Sequence, residues 1–505
     1  MSASKSKRQR QAMYQSGQLD KHAEEKQRRQ RRRRHLIITA VVLAVVIAAG
    51  TAAALISTGF LASHTTAAVT GSHALTGSMF SYFYYDTYQA FAQQNPTMAS
   101  QILNPDISFA QQTYSQENHT TWADYFLSEA AVLAAETYRM YDAAVAAGYT
   151  LSEEDEQTLE SNRASLESIP SLLPTFRSAD DYIRATYGRG CTAEGYLEYA
   201  RLRMTASSFA EQYREDLQYS DEDIQAAYTA NPLDYDTVSY KIFYSSVVIG
   251  QNEDGTVYSD MELSEANARD MAEQCRGDLD RFNEMTVELA AESKKDTYRD
   301  PDFSLRENLT VSSANDKLVD WLTDPDREYG DTTYVQADER GYYVAFFIDY
   351  SDNDYRLANF RQISIPATAD ADNAADPDGM DQARQDAKAI LDKFEDGART
   401  GDAFSALAQE QSGASGADSA PCFPGQADDA VEQWCYDEAR EPGDYAMLRG
   451  ESGYFIVWFD GYGGNYRDYL VEEALRQEDY DAWYEQITAG EPAALRSLGV
   501  FFMSK

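Results

Sequence analysis

Histidine, the side chain best suited to acid–base catalysis near neutral pH, is confined to the first quarter of this chain. The five histidines among its 505 residues are His22, His35, His64, His73 and His119. A Ser/His/Asp arrangement is therefore excluded after residue 119. Neither a P-loop nor a Gly-x-Gly-x-x-Gly turn occurs in the sequence. We expect the protein to need no cofactor.

A short acidic stretch, Asp370 to Gly379, is similar to a calcium-binding loop because it carries four aspartates. A calcium loop of this kind needs glycine at its sixth position and acidic ligands at its first and twelfth. With Gly379 in the sixth position, Ala374 occupies the first and Gln385 the twelfth. The ligand frame fails, so we interpret the stretch as a solvated acidic loop without a metal.

The four cysteines are Cys191, Cys275, Cys422 and Cys435, and only the last two lie close in sequence. A disulfide between Cys422 and Cys435 is permitted in an oxidising compartment but is not required by the spacing. The sequence leaves this pairing open.

One pattern occurs twice in the chain: Trp-x-x-Asp-x-x-Arg-Glu-x-Gly-Asp, at residues 321–331 and at 434–444. Each occurrence leads into a strand that begins with glycine and an aromatic residue, at Gly341 and at Gly453. A period of more than a hundred residues is the size of a domain, not of a solenoid repeat. The sequence therefore predicts two tandem copies of one small α+β domain.

The shared residues of the pattern carry structural expectations. Each glycine should adopt a positive φ in a turn, and each arginine should pair with nearby acids. Each tryptophan should lie in the core of its copy. The residues concerned are Gly330, Gly443, Arg327, Arg440, Trp321 and Trp434.

Charge and hydropathy divide the chain at its beginning. Residues 1–34 carry 12 Lys and Arg against 3 Asp and Glu, whereas the remainder carries 31 basic and 81 acidic residues. Leu36 to Ile56 is uncharged and long enough to cross a bilayer. The flanking Arg31 to Arg34 predict a cytoplasmic N-terminus and an extracytoplasmic bulk. A cleaved signal peptide is the alternative.

These features predict a multidomain α+β protein. A basic arm (1–34) contacts anionic lipid rather than nucleic acid, and a transmembrane helix (35–58) and a linker (59–78) follow it. Amphipathic helices then form a domain over 79–235. The two copies occupy 236–355 and 356–464. An aromatic C-terminal helix in 465–505 should return to complete the helical domain, since its apolar stripe must be buried.

The junction Tyr219 to Tyr244 and the helix Gly401 to Ser412 resemble parts of the PrsA-type foldases and SurA-type periplasmic chaperones. In those proteins a helical segment leads into parvulin (PpiC-type) peptidyl-prolyl isomerase domains. The resemblance covers about residues 120–465. It implies a membrane-tethered, extracytoplasmic folding factor whose partners are unfolded or nascent exported proteins.

The family's two active-site histidines are missing from both copies. Their positions fall on Ile242 and Tyr343 in the first copy and on Gln362 and Phe455 in the second. The resemblance makes these four residues candidates for substrate binding, with no catalytic residue assigned. We therefore expect a chaperone that binds unfolded or proline-containing segments, with isomerase activity weak or lost. An active isomerase and a non-catalytic envelope scaffold for one fixed partner are the alternatives.

Overall fold

The computed structural model describes residues 4–9, 11–12, 39–51, 53–104, 106–254, 256–368, 377–412 and 416–503. The chain divides into two compact units. The first unit comprises Met1–Leu217 and Asp479–Lys505, and the second comprises Gln218–Glu478. Most of the basic arm, including Arg31 to Arg34, and most of the acidic loop at 370–379 lie outside the described residues. The fold is α+β with small antiparallel sheets, in agreement with the predicted class.

Helix α1, Thr39–Ser57, is long and apolar enough to span a membrane. Its 19 residues carry no charge and have a mean hydropathy of 2.5. Helix α2, Phe60–His64, follows almost directly, after Gly59 in the left-handed conformation (φ 76°). A side chain at Gly59 would collide with the backbone of Arg189 and Gly190, so glycine is required there for packing as well as for conformation.

The first unit is a helical bundle with two small sheets, one of three strands and one of two. Its remaining elements are β1 (Thr66–Thr70), β2 (His73–Thr76), α3 (Gly77–Gln94), α4 (Pro96–Ile102), β3 (Thr113–Ser115), β4 (Thr120–Thr121), α5 (Trp122–Ala147), α6 (Glu153–Leu172), α7 (Ala179–Tyr187) and α8 (Ala193–Asp216). Aromatic rings of α3 and α5 interlock in its core, where Phe83 and Phe126 are fully buried.

Threonine and serine residues followed three positions later by aspartate predict where four helices begin, and the structure confirms these positions. Thr121, Ser152 and Ser220 each accept a hydrogen bond from the backbone N–H of an aspartate three residues on, and that aspartate bonds back. Ser178 caps α7 through one such bond, from Asp181. Each cap satisfies donors that a helix leaves unpaired at its first turn.

The prediction of a linker over 59–78 was wrong. This stretch forms α2 and the strands β1 and β2, and β1 pairs on its other edge with Ala494 and Leu495. Ala67 and Ala68 are fully buried as a result. The small residues of this stretch resemble a flexible linker, but here they allow close packing. The sequence alone did not reveal this because the pairing partners come from a distant part of the chain.

The last part of the chain is shared between the two units. Helix α17 in the structure runs from Tyr466 to Thr488, and the first unit takes the chain from Asp479 onward. Trp483 stacks on Tyr213 with ring centroids 3.9 Å apart. Arg139 donates to the carbonyl of Thr488 (2.6 Å). The residues expected to return to the helical domain therefore do so from Asp479, whereas 466–478 belong to the second unit.

The second unit opens with α9 (Asp221–Ala230), which the sequence had placed in the helical domain 79–235. Its caps predict a helix correctly but do not show which neighbours that helix packs against. The first copy follows as β5 (Thr237–Ser246), β6 (Val248–Gln251), β7 (Val257–Asp260), α10 (Met261–Cys275), α11 (Leu279–Leu289), α12 (Lys295–Tyr298), β8 (Leu305–Thr310), α13 (Val319–Leu322), β9 (Thr332–Asp338) and β10 (Gly341–Ser351).

The second copy repeats this order without the β6–β7 hairpin and without a counterpart of α12. Its elements are β11 (Arg356–Pro366), α14 (Pro377–Glu395), α15 (Gly401–Ser412), β12 (Ala420–Pro421), α16 (Asp429–Cys435), β13 (Tyr445–Arg449) and β14 (Gly453–Asn465). The remaining elements of the chain, after α17, are β15 (Ala494–Leu495) and α18 (Ser497–Phe502). The strand orders are β8-β5-β10-β9 and β12-β11-β14-β13, so the predicted tandem repeat has the same antiparallel topology in both copies.

The residues shared between the copies form a clamp where the chain enters the last hairpin. Gly330 and Gly443 have φ of 90° and 97°, as predicted. Each glycine N–H bonds to the closing strand, at the carbonyls of Phe347 and Phe459. Bonds in the reverse direction run from those phenylalanines to the residue after each glycine. The clamp thereby fixes the start of β9 and β13.

The arginines of the clamp pair with acids, as predicted. Arg327 contacts Asp324 and Asp331, both at 3.1 Å, and Arg440 contacts the equivalent Asp437 and Asp444. Each guanidinium also lies over the indole ring six residues earlier, at 4.5 Å and 4.0 Å from the ring centroids. Cation–π contact of this kind is favourable.

The expectation that Trp321 and Trp434 lie in the core was wrong in degree. Both are half-buried and pack on the edge of the apolar clusters behind the sheet. An arginine covers one face of each indole ring, and the ring as a whole stays half-buried. The change of either tryptophan to alanine therefore removes less buried surface than a core residue would.

Candidate functional site

Two of the sequence-predicted site residues meet on one face of the first copy. Ile242 lies on β5 and Tyr343 on the adjacent antiparallel strand β10. Tyr343 stands directly opposite Tyr244, and their rings make an edge-to-face contact at 5.6 Å. Because side chains alternate along a strand, Ile242 and Tyr244 point to the same face of the sheet. The strand register thus brings Ile242 and Tyr343 together on one face of the sheet.

Ile242 and Tyr343 line a cavity of about 390 Å³, here named the aromatic pocket. Small-ligand sites usually have volumes of about 300–1,000 Å³, so one or two side chains can enter. Five of the eleven lining residues are aromatic, and Arg306 is the one charged member. The other lining residues are Tyr240, Tyr244, Tyr298, Phe303, Leu309, Ser313, Ala314 and Asn315.

The hydroxyl groups of the aromatic pocket are held by local partners. Tyr240 accepts a hydrogen bond from the backbone N–H of Asn315 (3.2 Å), and Tyr244 donates to Asp338 (3.2 Å). Burial raises the pKa of Tyr244, and the bond to Asp338 raises it further. Burial also raises the pKa of Tyr298. The phenols of Tyr244 and Tyr298 therefore stay protonated at neutral pH. They offer the pocket rings and hydrogen bonds rather than a base.

In the second copy, the equivalent strand is contacted by the backbone of Gly416. Gln362 and Phe455 lie on β11 and β14, on the face that corresponds to the aromatic pocket. Gln362 donates its N–H to the carbonyl of Gly416 (3.1 Å). A Cβ at Gly416 would lie 2.1 Å from the carbonyl oxygen of Gln362, so the loop backbone presses directly on this strand. Neither Gln362 nor Phe455 lines any of the four best-formed cavities among the described residues.

A second concave surface lies in the first unit, among α3, α4 and α5. This helical groove has a volume of about 1080 Å³. Its apolar wall includes Met98, Ile102 and Tyr114, which are 39%, 50% and 48% exposed. Trp122 and Tyr125 support Tyr114 from behind, with ring centroids 4.8 Å away in both pairs. Large apolar side chains that stay exposed along a groove are typical of a surface that binds a partner.

The charge of the helical groove is mainly negative. Asp86, Glu129 and Glu136 line it, and Arg203 is its one basic residue. Asp86 accepts a hydrogen bond from Tyr199 and lies 3.6 Å from Arg203. Burial raises the pKa of Asp86 against the opposing effects of Tyr199 and Arg203. The groove thus combines apolar and acidic features suited to segments with apolar and basic side chains.

Sequence reasoning missed most residues of the aromatic pocket. Tyr240 and Tyr244 could have been found, because they alternate with Ile242 on one face of the first strand. Tyr298, Phe303 and Asn315 come from irregular segments between α11 and α13, where no periodicity marks a face.

The cysteines show no disulfide among the described residues, and all four are buried free thiols. Cys422 and Cys435 lie in the same apolar cluster, behind the sheet of the second copy. A hydrogen bond with Cys422, followed by burial, raises the pKa of Cys435. Cys435 therefore stays a protonated thiol at neutral pH. Within the described part of the chain, no group of three His, Cys, Asp or Glu side chains is placed to hold a metal ion.

No protein-family model matches this sequence, and no curated protein is significantly similar to it. Any conclusion about function must therefore come from the pocket, the groove and the chain's own pattern.

Proposed function

We propose that this protein is a membrane-anchored extracytoplasmic chaperone of the PrsA/SurA type. It binds unfolded or proline-containing segments of exported proteins, and its isomerase activity is weak or lost. The observation that carries this proposal is the helical groove, whose exposed Met98, Ile102 and Tyr114 line about 1080 Å³ of open volume. A flexible methionine beside aromatic rings can adapt to many apolar sequences, as a chaperone requires.

The aromatic pocket supports a second contact with the same clients. A proline ring or an aromatic side chain can pack against Tyr244 and Tyr343. Arg306 lines the same pocket and can donate a hydrogen bond to a backbone carbonyl of the client. Prolyl isomerisation faces a barrier of about 20 kcal/mol and can be lowered by a pocket that favours the twisted amide. With Ile242 and Tyr343 at the family's histidine positions, this pocket binds proline segments without efficient turnover.

The topology in this proposal follows from α1 and from the charges before it. With Arg31 to Arg34 on the cytoplasmic side, α1 crosses the membrane once and the acidic bulk faces outward. Protease added to cells stripped of their wall should then degrade the acidic bulk and spare the basic arm. A mature chain that begins beyond residue 60 would contradict the anchor.

The chaperone role is tested by suppression of aggregation, with the full chain in detergent or nanodiscs and a chemically unfolded reporter enzyme as client. The parent should suppress light scattering at near-stoichiometric ratios. A variant carrying Met98→Ser, Ile102→Ser and Tyr114→Ser should lose most of this effect, because it removes the exposed apolar wall and leaves the core in place.

A matched control is Val145→Ser, since Val145 is 57% exposed on the same unit but does not line the groove. Its suppression should equal that of the parent. A prolyl-peptide isomerisation assay on the same samples should give rates close to the uncatalysed one. Full suppression by the triple variant would refute the groove, and efficient isomerisation would favour the alternative of an active isomerase.

A further inference from the structure

Acidic residues are missing from the two segments that meet where α1 ends. No Asp or Glu occurs between residues 39 and 85 or between 492 and 503, although the chain contains 84 of them. The second segment carries one charged side chain, Arg496, which is exposed. In a chain with net charge −41, the absence of acidic residues from these two segments needs a physical reason.

The two segments are packed together in the first unit. Helix α18 rests on β1 and contacts α2. Its Gly499 lies so close to Thr66 that a Cβ would come within 2.0 Å of the Thr66 carbonyl oxygen. Arg496 donates its N–H to the carbonyl of Ala67 (2.7 Å). Helix α18 is thereby held against β1, the strand that follows α2.

The outer surface of α2 and α18 is apolar and exposed. Phe60 is 47% exposed, Leu498 64% and Phe501 71%. On the inner side of α18, Gly499 and Val500 are buried. Side chains of this size left in water on a short helix are costly unless another phase covers them. We name Phe60, Arg496, Leu498 and Phe501 the membrane-facing patch.

The position of this patch relative to α1 is limited by the length of the chain. Phe60 follows the last residue of α1, Ser57, by three residues, so it lies within about 11 Å of that end. The backbone N–H of Gly59 still bonds to the carbonyl of Ile56 (3.1 Å), which shortens the reach further. The headgroup layer on each side of a bilayer is about 5–8 Å thick. Helix α2 therefore begins at the bilayer surface whenever α1 is inserted.

We propose that the first unit docks on the outer surface of the bilayer through the membrane-facing patch. Phe60, Leu498 and Phe501 enter the interface between headgroups and acyl chains, and Arg496 contacts anionic lipid headgroups. The absence of carboxylates over these segments then has a reason, because an acidic side chain at this surface would be repelled. This inference rests on the proposed insertion of α1.

The test places an environment-sensitive dye on single cysteines in the full chain, reconstituted in nanodiscs with lipid-borne quenchers. Phe501→Cys reports the patch and Val46→Cys reports the centre of α1. Leu172→Cys is the matched control, since Leu172 is 70% exposed on the same unit and outside the patch. The four native cysteines are buried, and dye uptake by the parent chain measures their background.

With phosphatidylglycerol nanodiscs, the dye at position 501 should be shifted to the blue and quenched by headgroup-level quenchers, whereas the dye at 172 should not. Arg496→Gln should weaken quenching at 501 in these discs and leave it unchanged in phosphatidylcholine discs. Because Arg496 and Phe501 are exposed, neither change should disturb folding.

Quenching at 46 without quenching at 501 overturns the docking inference and leaves the anchor standing. If 501 then becomes shielded only as protein concentration rises, a second copy covers the patch instead of lipid. Absence of quenching at 46 refutes the membrane anchor, and the docking inference falls with it.

Discussion

Arg327→Met is expected to loosen the last hairpin of the first copy, because this side chain makes three of the hydrogen bonds of the clamp. The guanidinium donates to the carbonyl of Trp321 at 3.0 Å and to Asp331 and Asp324 at 3.1 Å each. It is only 15% exposed, so these bonds are shielded from water. Methionine keeps the apolar stem and removes the charge, the hydrogen bonds and the cation–π contact.

The size of the effect follows from burial. Charge-assisted hydrogen bonds contribute about 1.5–3 kcal/mol, and a partly desolvated cation–π contact about 1–2 kcal/mol. Asp331 keeps two partners, the backbone N–H of Glu328 and Arg276 at 3.0 Å, which offset part of the loss. We therefore expect a local destabilisation of about 2–4 kcal/mol. Arg440→Met should cost only about 1–2 kcal/mol, because its ion pairs are longer (3.4 and 3.5 Å) and Asp444 is 41% exposed.

The readout is hydrogen exchange of peptides from β9 and β10 in the full chain, which reports local opening without assuming two-state unfolding. Arg276→Gln is the matched control: Arg276 binds the same carboxylate but is 67% exposed, so its loss should cost less than about 1 kcal/mol. If β10 is protected from hydrogen exchange as well in Arg327→Met as it is in Arg276→Gln, the clamp is not what holds this hairpin.

Three further outcomes are expected. Tyr343→Ser should weaken binding of an aromatic-prolyl peptide about 2- to 10-fold by titration, whereas Gln362→Ala should not, because Tyr343 lines the aromatic pocket and Gln362 lines none of the four best-formed cavities among the described residues. Lys241→Met should destabilise the first copy by about 2–4 kcal/mol in denaturant melts, since the buried ammonium donates to Asn283 (2.6 Å) and to the carbonyl of Pro301 (2.9 Å). Asp86→Asn should raise the melting temperature at pH 7 but not below pH 4. Because the folded-state pKa of Asp86 is raised, the parent loses stability as pH rises through that window, and unchanged melting at both pH values would contradict this.

Local chemistry made much of this fold predictable. The helix caps at Thr121, Ser152 and Ser220 and the left-handed turns at Gly330 and Gly443 depend on a few neighbouring residues. The cap hydrogen bonds span three residues, and glycine adopts a positive φ readily, so a sequence pattern specifies both features without knowledge of the tertiary structure. For the same reason, the ion pairs of the clamp were predictable from the spacing of arginine and aspartate.

Contacts between distant segments were less accessible. Strand β12 has two residues and β15 also has two, too few for an alternation of apolar and polar side chains to appear. The stretch 59–78 is ordered because β1 finds a partner more than four hundred residues later. In each case, tertiary pairing rather than local propensity decides the structure.

The candidate site lies where the two copies differ, and this has a structural cause. The residues they share build the clamp and set the register of the closing hairpin, so both copies adopt the same sheet. The face that carries Ile242 in the first copy lines the aromatic pocket, whereas the strand that carries Gln362 in the second is contacted by the backbone of Gly416. The repeated motif therefore indicates the fold and cannot reveal the function. Damage to the clamp should affect either copy, but only changes to Tyr244, Tyr343 and their neighbours should alter what the protein binds while its fold stays intact.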